Sequence, residues 1–428
     1  MRERKAKREL EWEKLDNTAN LFPVIASESM SNVYRLSVVL TEEVIPEKLE
    51  KALQHILPWF DYMNVRMRTG VFWYYFETNE NGAPVVCEED DFPCRYIAPR
   101  KNNNFLFRVT YYKCRINLEI FHVLADGMGG INFLRELTYE YLRLVVPALQ
   151  EKKDEFLSED TSLNQEDAYL KYYRKKEKKG YRSVKAVHMT GEKFLYRGLG
   201  VMHGYLSVSQ LKEKCRELHV SINDYLTAVF AYSIYQVTLH GMKSKEPVVV
   251  CVPVNLRSYF PSMTARNFFV MISAAYLPKE DNEPFEETLK QVTDSLKKQK
   301  DKDSLEKLFA YNVSNQKNYI LRAVPLFLKR FAMRYVYQNS AKATTTTLTN
   351  ISRVEVKDEY RPYIKRFQAM LSVSAGQNLK AAICSYGDEL TITFTSVLKN
   401  PSVQQAFFKK LSEDGIPVKI ETNGLWGE

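Results

Sequence analysis

What constrains this chain most is an order of segments. Stretches with two-residue and with 3.6-residue apolar periodicity are mixed along both halves, and one charge-rich stretch from 151 to about 185 separates the halves. Strict alternation buries one face of a strand, whereas apolar residues three and four apart bury one stripe of a helix, so each half has to build its core from sheet and helix together. The chain has 428 residues. Single cores stop growing near ~250–300 residues, so two cores of about 200 residues each are expected. The expectation is therefore an α/β (α+β) chain with an N-terminal domain over 1–150, a charged linker over 151–195 and a C-terminal domain over 196–428.

In the first half, Val33–Leu40 alternates apolar and polar residues and predicts a strand, and residues 47–60 carry a helical repeat that ends beyond Pro58. Residues 66–77, 105–112 and 116–123 are aromatic and β-branched runs bounded by Asn, Gly and Lys, expected as paired strands of one sheet. Ile131, Leu134, Leu137, Tyr141 and Leu144 then predict a helix from about Gly130 to Pro147. In the second half, residues 205–208, 248–253 and 268–277 read as strands, and helices are expected from about Gln210 and Ile222, behind Ser207 and Ser221. Residues 285–300 and 305–336 read as mostly helical, 344–348 and 390–396 as strands, and 402–414 as a helix closed by Gly415.

Hydrophobic residues make up 45% of the chain, which excludes a disordered tail protein. The longest apolar stretches, 248–254 and 268–277, fall short of the ~18 residues that span a bilayer, and residues 1–15 form a charged helix pattern without an apolar h-region. Neither a membrane span nor a signal peptide is expected. Six cysteines are scattered outside any CxxC pair and read as reduced thiols in a cytoplasm. The excess of 61 Lys+Arg over 52 Asp+Glu is spread over a large surface, but residues 171–185 hold eight basic residues and one acid and are either a solvated linker face or an anion-binding patch. No nucleic-acid reading motif accompanies them. His55, His188, His203, His219 and His240 lack metal-ligand spacing, so no metal is expected.

The chemistry concentrates in residues 120–127, Ile-Phe-His-Val-Leu-Ala-Asp-Gly, where an apolar strand ends in His122 and Asp126 follows four positions later. An imidazole at a strand end can take up a proton near neutral pH, and an Asp in the next turn can hold the backbone or orient the ring. From the spacing alone, a surface histidine beside an ordinary Asp-Gly turn is the better reading. Gly127, Gly129 and Gly130 lack the G-x-G-x-x-G spacing of a dinucleotide site and are expected to allow a tight turn before the helix.

Residues 122–127 resemble the HHxxxDG motif of nonribosomal-peptide condensation domains and the HxxxD motif of plant BAHD and bacterial alcohol acyltransferase-like proteins. The later segments Pro253-Val254-Asn255-Leu256-Arg257, Ala265-Arg266-Asn267-Phe268-Phe269, Thr349-Asn350-Ile351-Ser352-Arg353-Val354 and the run from Ser385 to Ile392 are similar to the family's further landmarks, in its order. Phe121 stands where condensation domains have their first histidine, and no DFGWG segment is present, which matches a stand-alone bacterial-type member.

The resemblance implies two chloramphenicol-acetyltransferase-like αβ domains in a V with a tunnel between them, and His122 midway along it as general base. It assigns Asp126 to shaping the turn, in an ion pair with Arg257, and Gly127 to completing the motif. Asn267 would line the tunnel or make a strand-start hydrogen bond, and residues 344–350 would floor the tunnel. The implied activity is transfer of an acyl group from a thioester, acyl-CoA as cosubstrate, to an alcohol or amine, with no permanently bound cofactor. Two alternatives stay open: a condensation enzyme fed by a carrier protein docking on residues 171–185, and a catalytically inactive binding module.

Overall fold

The computed structural model describes residues 12–152, 157–158, 161–174, 184–195 and 198–426. The described residues start with a short strand, β1 (Trp12–Lys14), and one helical turn, α1 (Phe22–Ile25). The part of the N-terminal charged pattern that is described is thus a strand, because Trp12, Glu13 and Lys14 pair with β4 (Tyr74–Thr78); residues 1–11 lie outside the described residues. The strand β2 has the bounds Val33–Leu40, α2 spans Pro46–Ile56, and β3 spans Val65–Thr69.

The aromatic run at 66–77 is not one strand of the main sheet. The chain reverses at Gly70, whose N–H donates to Trp73 O at 2.9 Å, and the run becomes the hairpin β3–β4 in a separate sheet ordered β1-β4-β3. A side chain at Gly70 would meet that same Trp73 oxygen at 2.9 Å, so the turn needs glycine for room. The main sheet of this half contains β5 (Cys87–Glu88), β6 (Phe107–Tyr112), β7 (Arg115–Phe121) and β2, and it is closed on its other edge by β12 (Ile364–Leu371), in the order β12-β2-β7-β6-β5. β12 comes from beyond residue 360 and runs antiparallel to β2, with Phe367 opposite Val38. Residues 1–150 therefore do not complete this sheet alone.

After β7 comes the long helix α3 (Gly127–Val145), and α4 (Ala168–Tyr172) lies in the stretch expected to be a surface connector. That stretch is anchored: Tyr169 is buried, and its hydroxyl donates to Phe269 O at 2.6 Å. Most of the basic run 171–185 lies outside the described residues.

The second half forms a seven-stranded sheet. Its strands are β8 (Gly200–Ser207), β9 (Val248–Asn255), β10 (Phe269–Tyr276), β11 (Thr346–Arg353), β13 (Leu379–Tyr386), β14 (Glu389–Ser396) and β15 (Lys419–Thr422), in the order β10-β9-β11-β13-β14-β8-β15. Only β11 runs parallel to both of its neighbours. Helices α5 (Val208–Glu217), α6 (Ile222–Thr238), α7 (Phe285–Lys297), α8 (Lys302–Lys317), α9 (Tyr319–Ala323), α10 (Leu326–Ala341) and α11 (Ser402–Glu413) complete it. Ser207 and Ser221 cap α5 and α6 through the N–H groups of Gln210 and Asp224. The core under α6 and α11 is a stack of edge-on rings in which Phe394 lies 5.3 Å from Phe230 and 5.0 Å from Phe407.

Candidate active site

The site forms where β7 stops. Val33 pairs with Phe121 as the last register of β2 with β7, and the next residue, His122, donates its N–H to Asn32 O at 3.0 Å. Asn32 adopts φ +53°, a left-handed conformation that Asn tolerates better than most residues, and this turns the edge away. The chain then needs only four residues to reach the first turn of α3, where Asp126 is the N-cap and its Oδ1 accepts from Met128 N at 3.2 Å and Gly129 N at 3.3 Å. The Tyr34 hydroxyl donates to Asp126 O at 2.9 Å and the Tyr62 hydroxyl to Gly129 O at 2.8 Å, which pins the corner from β2 and from the segment after α2.

Three rings surround the His122 imidazole. Phe22 of α1 stacks on it at 4.7 Å, Tyr34 of β2 lies at 5.0 Å and Phe269 of β10 at 5.6 Å, so both sheets contribute. Its Nδ1 is 3.1 Å from Asn267 Oδ1. The orientation of that amide is set by its other end, because Asn267 Nδ2 donates to Asp16 Oδ2 at 3.0 Å and to His122 O at 3.2 Å. With its nitrogen facing two acceptors, the amide presents oxygen to the imidazole, so Nδ1 carries the hydrogen and Nε2 keeps its lone pair. Burial pushes the His122 pKa below its ordinary 6.5, and the nearby cation Lys380 adds to this; the residue's own carbonyl, Asp126 and Asn267 pull the other way. The ring is therefore neutral near pH 7, and a neutral imidazole with a free Nε2 can accept a proton.

Behind Asn267 lies a group that no sequence pattern had singled out. Asp16 is 2% exposed, and burial raises its pKa from 3.8 to about 7; Asp167 adds to the rise, while the Ala19 N–H, Asn267 and Arg266 oppose it. Asp16, Asn267 and His122 form one hydrogen-bonded series across 251 positions of sequence. Lys380 on β13 was also missed. It is buried beside Ser374, and desolvation lowers its pKa from 10.5 to about 8.

Asp126 faces away from this series. Its Oδ2 accepts from Arg257 Nη1 at 2.7 Å and from Phe268 N at 3.0 Å, and Arg257 Nη2 reaches Oδ1 at 3.3 Å. The same guanidinium donates to Thr264 O and Arg266 O, so it ties the segment before β10 to the start of α3. The glycines of the corner work through space and not through backbone conformation, since Gly127, Gly129 and Gly130 all lie outside the positive-φ region. This corrects the expectation of a glycine-dependent turn. A side chain at Gly127 would meet Ile351 Cδ1 at 2.5 Å, and one at Gly129 would meet the Ala265 backbone oxygen at 2.1 Å. Close approach of the 265–268 segment brings Asn267 to His122. Two surface concavities of about 640 and 510 Å³ lie elsewhere; the smaller is lined by Arg257, Lys171 and Ser262, and neither is lined by His122. Among the described residues, no group of three or more His, Cys, Asp or Glu could hold a metal ion.

The sequence model of a family described as alcohol acetyltransferase matches residues 155–363, a stretch that contains Arg257 and Asn267 and begins beyond His122. No curated protein matches the chain. Among solved structures, the chain is similar to F. graminearum TRI101 complexed with ethyl coenzyme A, at 14% identity over 96% of this chain and 100% of that one, TM-score 0.65. It is also similar to polyketide synthase associated protein 5 from Mycobacterium tuberculosis, at 14% identity over 93% and 96% of the two chains, TM-score 0.60. The epimerization domain of tyrocidine synthetase B matches at 12% identity over 97% and 98%, TM-score 0.59. The fold is the two-domain chloramphenicol-acetyltransferase-like one of these structures.

Proposed function

We propose that the protein is an acyltransferase that moves an acyl group from acyl-CoA to an alcohol, with His122 as general base. The observation that carries this reading is the hydrogen bond between Asn267 and His122, which leaves Nε2 unprotonated at the corner between β7 and α3. The match to the alcohol acetyltransferase family model supports acyl transfer and an alcohol acceptor, and the likeness to a structure complexed with ethyl coenzyme A supports the donor.

In this mechanism an acceptor hydroxyl hydrogen-bonds to Nε2 and its oxygen attacks the thioester carbonyl while Nε2 takes the proton. The tetrahedral oxyanion then collapses, the C–S bond breaks, and the imidazolium returns its proton to the departing thiolate. The products are an ester and free CoA thiol, and no acyl-enzyme is formed. Proton transfer of this kind is worth about 10²–10⁴ in rate, and holding donor and acceptor together supplies much of the remainder. Asp16 acts through Asn267 as a positioning residue: Oδ2 of its carboxyl group accepts from Asn267 Nδ2 and so holds the amide with oxygen toward Nδ1. Asp126 and Arg257 hold the corner. Two domains divided near residues 151–195, with β12 exchanged into the first sheet, fit this reading, and the six unpaired cysteines fit a reducing cytoplasm.

The test is release of free thiol from a panel of acyl-CoAs in the presence of alcohols and amines. Acceptor-dependent release that disappears in His122→Ala supports the assignment. Release that is independent of acceptor, or undiminished in His122→Ala, removes it. Turnover of a carrier-bound acyl thioester with none of free acyl-CoA replaces the donor with a carrier protein.

A further inference from the structure

Residues 307–354 contain eight lysines and arginines and no aspartate or glutamate. Eight large apolar side chains in this same stretch are exposed. Tyr319 is 83% exposed, Ile320 78%, Phe331 70% and Tyr335 69%. A soluble surface scatters large apolar residues singly, so a contiguous group of this kind marks a face that another phase or molecule covers.

The geometry of α10 says what kind of cover fits. Leu326, Met333 and Tyr337 face the protein. At about 100° per residue, Phe327, Leu328, Phe331, Ala332, Tyr335 and Val336 fall within one arc of roughly 180° whose centre lies opposite those three. Lys329 borders the arc on one side, and Arg330 and Arg334 border it on the other. The apolar stripe thus points straight outward with cations along both margins, the arrangement of a helix lying in a membrane interface.

The patch extends beyond α10. Leu326 N donates to Val71 O at 2.8 Å, and Lys329 Nζ donates to Phe72 O at 2.9 Å and to Arg322 O at 3.2 Å. These bonds hold the β3–β4 hairpin tip, with exposed Val71, Phe72 and Trp73, beside α9 and the start of α10. The carboxylates next to the tip, Glu13 and Glu77, are already paired with Arg266 and with Arg66 and Arg68. Among the described residues Arg322, Lys329, Arg330 and Arg334 form no ion pair.

We propose that the face built by α9, α10 and the β3–β4 tip docks on an anionic lipid bilayer surface. A second copy of this chain is a poor occupant, because a self-complementary contact would set these cations against one another. No helix of the described residues is long and apolar enough to cross a membrane, so the contact is interfacial. The margin of α10 that carries Arg334 also meets α1, with Arg334 Nε donating to Val24 O at 2.7 Å, and α1 carries the ring stacked on His122.

The test is co-sedimentation of the full chain with vesicles of phosphatidylcholine alone and of phosphatidylcholine mixed with phosphatidylglycerol. Binding to the mixed vesicles should exceed binding to the neutral ones by about tenfold and weaken as salt rises. Arg322→Gln and Arg330→Gln should each cost roughly fivefold. The double variant Phe331→Ser/Tyr335→Ser alters exposed positions only; it should melt like the parent and lose at least about tenfold in binding. The proposal fails if the parent chain ignores the mixed vesicles, or if the double variant binds them equally well. It also fails if the parent forms a concentration-dependent dimer that the double variant abolishes, since the face would then be a contact between copies. None of these readouts depends on acyl transfer.

Discussion

Asp16 is held where a carboxylate is costly, and its replacement by Asn makes the cost measurable. Burial raises its pKa from 3.8 to about 7. The unfolded chain therefore gives up this proton near pH 3.8 and the folded chain only near pH 7, so the native state is the better proton binder between those values. Stability that is present below pH 3.8 is lost as pH rises through the folded pKa. At 1.36 kcal/mol per unit the whole loss is about 4 kcal/mol, of which roughly 2–3 kcal/mol develops between pH 5 and pH 8. Asn cannot titrate. Whatever constant packing cost Asp16→Asn imposes, its unfolding free energy relative to the parent should rise by about 2–3 kcal/mol from pH 5 to pH 8, read from urea denaturation of both proteins at each pH. An asparagine here can turn its NH2 as well as its oxygen toward Asn267, so the amide is held with its oxygen toward His122 less firmly, by the His122 carbonyl, and kcat should fall about 10- to 100-fold with a smaller change in KM. A stability difference that is flat across the pH range would refute the buried titration. The expected slope with an unchanged kcat would leave Asp16 structural and refute the positioning role.

His122→Ala should lower acceptor-dependent thiol release by about 10²–10⁴ with little change in melting temperature, and activity within a few-fold of the parent would sink the general-base role. Because burial lowers the His122 pKa, kcat/KM in the parent should fall on the acid side with an apparent pKa below 6.5; a midpoint at or above 6.5 contradicts a desolvated ring. Arg257→Ala leaves Asp126, 6% exposed, with backbone donors and no cation, and should cost about 3–5 kcal/mol in denaturant unfolding; lost activity at full stability would instead indicate direct contact with substrate. Gly129→Ala forces a methyl group against the Ala265 oxygen and should destabilise by about 1–3 kcal/mol, whereas Gly82→Ala, which has nothing within 4 Å, should be close to neutral by the same thermal melts.

Element type and order were readable along the chain because they are local properties. The alternation in Val33–Leu40 marks a strand whose bounds agree with the structure, and Ser207 and Ser221 mark two helix starts by the N–H groups they satisfy. The same local logic failed where solvent does not supply the contrast. β13 packs small apolar residues on both of its buried faces and so lacks the alternation that β2, equally buried, keeps through Arg35 and Ser37, and the run at 66–77 conceals a reversal at Gly70. The motif at 122–127 drew attention to His122 and Asp126, but a single segment carries no record of what packs on it. Asn267, 145 positions away, reaches the imidazole only because Gly129 leaves room for the Ala265 backbone, and Asp16 reaches Asn267 from a segment whose sequence reads only as charged. Apolar periodicity reports which face of a segment leaves water, and this the sequence by itself determined. Which buried faces meet, and so which tautomer His122 holds and which carboxyl stands behind it, was decided only by the packing of distant strands.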